Sequence, residues 1–103
     1  MPAARTVTSH EAARTVAPHC TAQQQRVLGA LWTLTWASDE TIADHLPTMN
    51  RGSVVRRRGE LVALGLVRDT GVYARTRSGC RALVWGLTEA GVEAVHHLQE
   101  RAA

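Results

Sequence analysis

At 103 residues, 45% hydrophobic and 20% charged, the chain has the size and composition of one globular domain, too short for an α/β enzyme with separate substrate and cofactor domains. No run nears the ~18 apolar residues of a membrane span, and Met1 to Thr8 lack the apolar stretch of a signal peptide. The charge is polarised: residues 51–81 hold eight arginines against Glu60 and Asp69, a net of +6, the remainder is net −3, and every cation is arginine.

The first expected element follows Thr8-Ser9-His10-Glu11, which has the form of a capping box with Thr8 bonding back at the Glu11 amide. A short helix should then run to about Ala17, where Pro18 stops it. Thr21-Ala22-Gln23-Gln24 is a second capping box. Behind it Val27, Leu28, Leu31, Trp32 and Leu34 form one apolar stripe, Trp36 extends that face, and the helix should end near Ala37. Ser38 is an expected N-cap, with Asp39 and Glu40 in the first turn, where the helix dipole favours acids. Ile42, Ala43 and Leu46 form the inner face of this helix and Pro47 ends it. His45 falls at its C-terminus, where positive charge is favoured.

The third long helix should span Arg51 to Leu64, capped by Asn50 or Thr48. Val54, Leu61 and Leu64 share its inner face with the stem of Arg58, and Gly52, Val55, Arg56, Gly59 and Glu60 lie opposite. Gly59 on that face would let another molecule approach the backbone closely. Gly65 ends the helix, Leu66 to Thr70 form a short strand, and Gly71 sits in a turn. Ala82 to Leu87 form a second strand, with Leu83, Trp85 and Leu87 on one face. Thr88 caps a last helix, Glu89 to about Leu98, with Val92, Val95 and Leu98 inward. Trp32, Trp36 and Trp85 are expected in the core, since the chain has no phenylalanine. The organisation is an arm over 1–18 with a short helix, a domain over 19–98 and a tail over 99–103.

The stretch Glu60-Leu61-Val62-Ala63-Leu64-Gly65-Leu66-Val67-Arg68 looks like a recognition helix running into a first wing strand. Trp85-Gly86-Leu87-Thr88-Glu89-Ala90-Gly91 looks like a second wing strand entering a final helix. With their spacing from Thr41-Ile42-Ala43, residues 20–98 resemble the winged helix-turn-helix family of small bacterial and bacteriophage DNA-binding regulators. The resemblance implies a mainly α fold with a small antiparallel β-hairpin (α+β), an extra N-terminal helix and a C-terminal helix. It also implies a cytoplasmic, non-enzymatic transcription regulator whose partner is double-stranded DNA. The helix of about 51–64 would enter the major groove, and the wing of about 68–82 would lie on the minor groove or phosphates.

The candidate DNA-binding residues that follow are Asn50, Arg51, Ser53, Val55, Arg56, Arg57, Tyr73, Arg75 and Arg77. Arg56 is the expected base reader, because a guanidinium bridges guanine O6 and N7. Arg57 lies nearer the buried side and should reach a phosphate or an acid. Arg75 and Arg77 fall at the wing tip, and arginine suits a narrow, negative groove. Val55 and Gly59 leave base readout thin where many such helices are polar. Homodimerisation is expected through His10–Ala17 or Glu89–Leu98, since one recognition helix reads few bases. Two rival functions share this fold: a protein-interaction module, and an architectural factor that bends DNA.

Other chemistry finds little support in the sequence. His19-Cys20, Cys80 and His96-His97 lack structural-zinc spacing, so no metal or cofactor is expected. No G-x-S-x-G, phosphate-cradling glycine loop or carboxylate pair suggests catalysis. No signature of a small-molecule ligand is present. With two cysteines and no export signal, free thiols in a reducing cytoplasm are expected.

Overall fold

The computed structural model describes Val7 and residues 9–103. Thr8, expected to cap the first helix, lies outside them. Helix α1 (His10–Val16) is capped instead by Ser9, whose Oγ accepts from the Ala12 amide at 3.0 Å. The α-helix ends at Val16, with Ala17 as its C-cap, just before Pro18 as expected, and Pro18 sits in a following 3₁₀ turn, Ala17–His19. Helix α2 (Ala22–Leu34) starts on a complete capping box: Thr21 Oγ1 accepts from the Gln24 amide and Gln24 Oε1 accepts from the Thr21 amide.

Helix α2 ends three residues earlier than its apolar spacing suggests. Thr35 adopts φ 71°, which turns the chain out of the helix. Trp36 and Ala37 then form strand β1. Ser38 caps α3 (Asp39–His45), and Asn50 caps α4 (Arg51–Leu64) by accepting from the Ser53 amide at 2.8 Å. Gly65, at φ 82°, closes α4 in the left-handed conformation that glycine adopts without cost.

Strand β2 (Val67–Arg75) pairs antiparallel with β3 (Arg81–Leu87), and β1 pairs with the far edge of β3, giving the order β1-β3-β2. Gly71 does not reverse the chain as expected. It lies, at φ 80°, in a register shift between Asp69 and Tyr73. Asp69 Oδ1 accepts from the Gly71 amide, and Thr70 Oγ1 donates to the Val84 carbonyl at 2.8 Å, so the irregularity is held by side chains. The reversal comes at Thr76–Cys80, where the Thr76 amide donates to the Cys80 carbonyl at 2.8 Å. Helix α5 (Glu89–Ala102), capped by Thr88, runs past the end expected near Leu98.

The core gathers one face of each long element. Leu28 and Leu31 of α2, Ile42 of α3, Val54 and Leu61 of α4, and Leu66 are fully buried. Each such side chain contributes roughly 1.5–3 kcal/mol. Helix α1 lies on α5, with Ala13 buried and Arg14 paired to Glu93 (3.5 Å) and Glu100. The tryptophans divide: Trp85 is 8% exposed, whereas Trp32 and Trp36 are 41% and 50% exposed and not core as expected. The turn at Thr35 takes Trp36 off the helical stripe and onto the edge strand.

Candidate nucleic-acid interface

Helices α3 and α4 are joined by the five residues 46–50, and the hairpin β2–β3 follows α4 directly. The capping of α4 fixes where its first turn points. Asn50 is exposed, but its Oδ1 is committed to the Ser53 amide. Arg51, Val55 and Arg56 are exposed on α4, and Ser53 is half-buried. Outside its own helix turn, no atom of the described residues lies within 4 Å of the place a Cβ on Gly59 would take, so that position is open to an incoming molecule.

The three consecutive arginines of α4 have different surroundings. Arg56 is exposed and makes no salt bridge among the described residues. Arg57 Nη1 donates to both oxygens of Glu60 at 3.1 Å, an acid being one of its two expected partners beside a phosphate, while Glu60 also accepts from Gln24 at 2.9 Å. Arg58 is 16% exposed and grips Asp39 in a bidentate pair of 3.0 and 2.7 Å. Its Cζ also lies 4.0 Å from the centre of the Trp85 ring. Arg58 therefore ties α4 to the first turn of α3 and to the sheet.

The hairpin carries a second cationic group. Arg75 and Arg81 are register partners, and Tyr73 pairs with Leu83 one rung further from the turn on that face. Like charges directly opposite each other are destabilising. Arg81 turns to stack on Tyr73, 4.1 Å from the ring centre, and Arg75 donates to the Gly79 carbonyl at 2.8 Å. Neither has a carboxylate partner among the described residues. Arg68, at the base of β2, is likewise exposed without one. Arg68 and Arg81 stand outside the set expected from sequence. Their signal was their membership of the basic block at exposed strand positions.

Arg77 does not project freely from the tip. Its guanidinium donates to Asp44 at 2.7 and 3.3 Å, and its amide donates to Glu40 Oε1 at 3.1 Å. Glu40 also lies 3.8 Å from Arg51. The hydrogen bond from Arg77 holds the Asp44 carboxyl below the usual carboxylate range, and Asp44 in turn raises the Arg77 guanidinium. The site thus brings Arg56, Tyr73, Arg75 and Arg81 out to solvent, while Arg57 and Arg77 are engaged by acids. No described helix is long and apolar enough to cross a membrane.

No protein-family model matches the chain, and neither does any curated protein. Solved structures do. A MarR-family transcription regulator superimposes with TM-score 0.67 at 18% identity, covering 90% of this chain and 60% of its own. The PcaV transcriptional regulator of Streptomyces coelicolor, in complex with its natural ligand, gives 0.63 at 21% identity over 89% of this chain and 65% of its own. A MarR mutant from E. coli complexed with operator DNA gives 0.63 at 17% identity over 87% and 65%. The chain spans about 60–65% of the length of these regulators. Element order, sheet topology and these superpositions agree that the chain has the winged helix-turn-helix fold.

Proposed function

We propose that the chain is a DNA-binding transcriptional regulator, with α4 in the major groove and the wing of residues 68–82 on the minor groove or phosphates. One observation carries this. On the helix and hairpin of the basic block, Arg56, Arg75 and Arg81 face solvent with no carboxylate partner among the described residues. A like-charge rung without a carboxylate beside it suits a polyanion. The likeness to a MarR structure holding operator DNA supports the same reading.

Arg56 is the base reader, able to fork onto guanine at roughly 1–3 kcal/mol of discrimination. Asn50, Arg51, Ser53 and Val55 complete the contact surface of α4. Tyr73, Arg75 and Arg77 supply the wing, with Arg81 added to it, and Arg57 supports α4 through Glu60. The protein works in the cytoplasm without catalysis. A homodimer joined through α1 or α5 would set two recognition helices on one site.

The test is selection from a random duplex pool with the bound fraction sequenced. Enrichment of one motif, lost at a single base pair in Arg56→Ala, is the expected result. Binding without enrichment would replace the regulator with an architectural protein, and no binding at low salt would remove DNA as the partner.

A further inference from the structure

Two acids of α3, Glu40 and Asp44, meet the wing and not the core. Glu40 and Asp44 are one helical turn apart, so they share a face. That face meets the wing tip. Asp44 takes both ends of the Arg77 guanidinium, and Glu40 takes the Arg77 amide while standing 3.8 Å from both Arg51 and Arg77. Two carboxylates therefore sit between the first turn of α4 and the tip of the hairpin, within the surface assigned above to DNA.

We propose that Glu40 and Asp44 form an acidic latch, occupying the wing-tip cation where a nucleic-acid phosphate would bind, so that duplex DNA engages Arg77 by displacing Asp44. The inference rests on the DNA-binding reading. A phosphate offers the forked oxygen pair that a guanidinium accepts from a carboxylate, so one replaces the other at Arg77 without new geometry. The exchange is accessible, because Arg77 and Asp44 side chains are 71% and 53% exposed. Exposed ion pairs hold weakly and are screened by salt, so a polyanion outcompetes this one. Glu40 is only 13% exposed and keeps its place, setting the backbone of the tip rather than yielding its partner. The latch lowers affinity for DNA in general.

The decisive experiment compares the intact protein with Asp44→Asn in anisotropy titrations against a duplex at several salt concentrations. Asp44→Asn should bind roughly twofold to fivefold more tightly, because no ion pair has to break before Arg77 meets a phosphate. In the Arg77→Ala background the same substitution should change affinity less than twofold. Equal or weaker binding by Asp44→Asn would overturn the latch and make the contact a brace that positions the wing. A gain that survives intact in the Arg77→Ala background would overturn it too, by showing simple removal of charge. Asp44 is exposed and outside the core, and the folded fraction of each variant is checked by circular dichroism. Absence of binding by the unmodified protein at low salt would instead defeat the DNA-binding reading, and the latch with it.

Discussion

Gly91 is the position where a single methyl group should do the most damage. It lies in the first turn of α5, where that helix crosses the start of β2. A Cβ on Gly91 would stand 2.0 Å from the Leu66 carbonyl oxygen and 3.2 Å from Leu87 Cδ2. Carbon–oxygen contacts in proteins settle at roughly 3.3–3.6 Å, so α5 would have to retreat by more than ~1 Å. It is not free to do so. The Thr88 amide donates to that same carbonyl at 3.1 Å, and Thr88 Oγ1 donates to the Gly65 carbonyl at 2.6 Å. Overpacking of this kind costs about 1–3 kcal/mol, and breaking one backbone hydrogen bond adds about 0.5–1.5 kcal/mol. Alanine recovers about 1 kcal/mol of helix propensity. Gly91→Ala should therefore lose roughly 1–3 kcal/mol and lower Tm by roughly 5–20 °C in a thermal melt followed by circular dichroism. An unchanged or raised Tm would refute the claim that α5 is seated directly on the Leu66 backbone.

Three further substitutions or titrations probe the basic surface and its supports. Gly59→Ala meets nothing within 4 Å, so it should raise stability by up to about 1 kcal/mol while weakening DNA binding; a variant that binds DNA as well as the parent would show that nothing approaches this backbone. Arg58→Met should lose about 1–3 kcal/mol by breaking the pair with Asp39 and the stack on Trp85, yet leave DNA affinity unchanged per folded molecule. A selective fall in affinity with unaltered stability would place Arg58 on the DNA instead. Asp44, faced by Arg77 and Arg51, and Glu100, faced by Arg14, His96 and His97, are both held below the ordinary carboxylate range by an arginine hydrogen bond. Their contribution to stability is present above that range and fades as pH falls through their lowered values. An NMR titration should find the Asp44 midpoint rising in Arg77→Ala, and a midpoint that stays put would discount the pairing.

Much of the frame was written in local signals. Thr21 with Gln24, Ser38, Asn50 and Thr88 each cap the helix their chemistry announced, and the bounds of α4 follow from Asn50 and Gly65. What escaped sequence reasoning was set by partners distant in the chain. Trp36 continues the i, i+4 stripe from Trp32, so spacing alone extends α2. Only pairing with Gly86 makes residues 36–37 a strand, and two residues are too few to show alternation. Gly71 carries a turn signal that the strand absorbs as a register shift, because Asp69 and Thr70 bond across it. The arginines of the basic block look alike in sequence. Their division into exposed Arg56, buttressing Arg57 and Arg58, and latched Arg77 depends on Glu60, Asp39 and Asp44, two of them 19 and 33 residues away.

The most direct test of DNA binding is a salt-dependent anisotropy titration of the unmodified protein beside an Arg75→Ala/Arg81→Ala variant. The parent should bind duplex DNA at low salt, and log affinity should fall linearly with log salt concentration. Removing the unpaired arginine rung of the wing should flatten that slope by about two, one unit for each phosphate no longer neutralised, with little change in Tm. An identical slope in the variant, or no binding by the parent at low salt, would contradict the assignment of this surface to DNA.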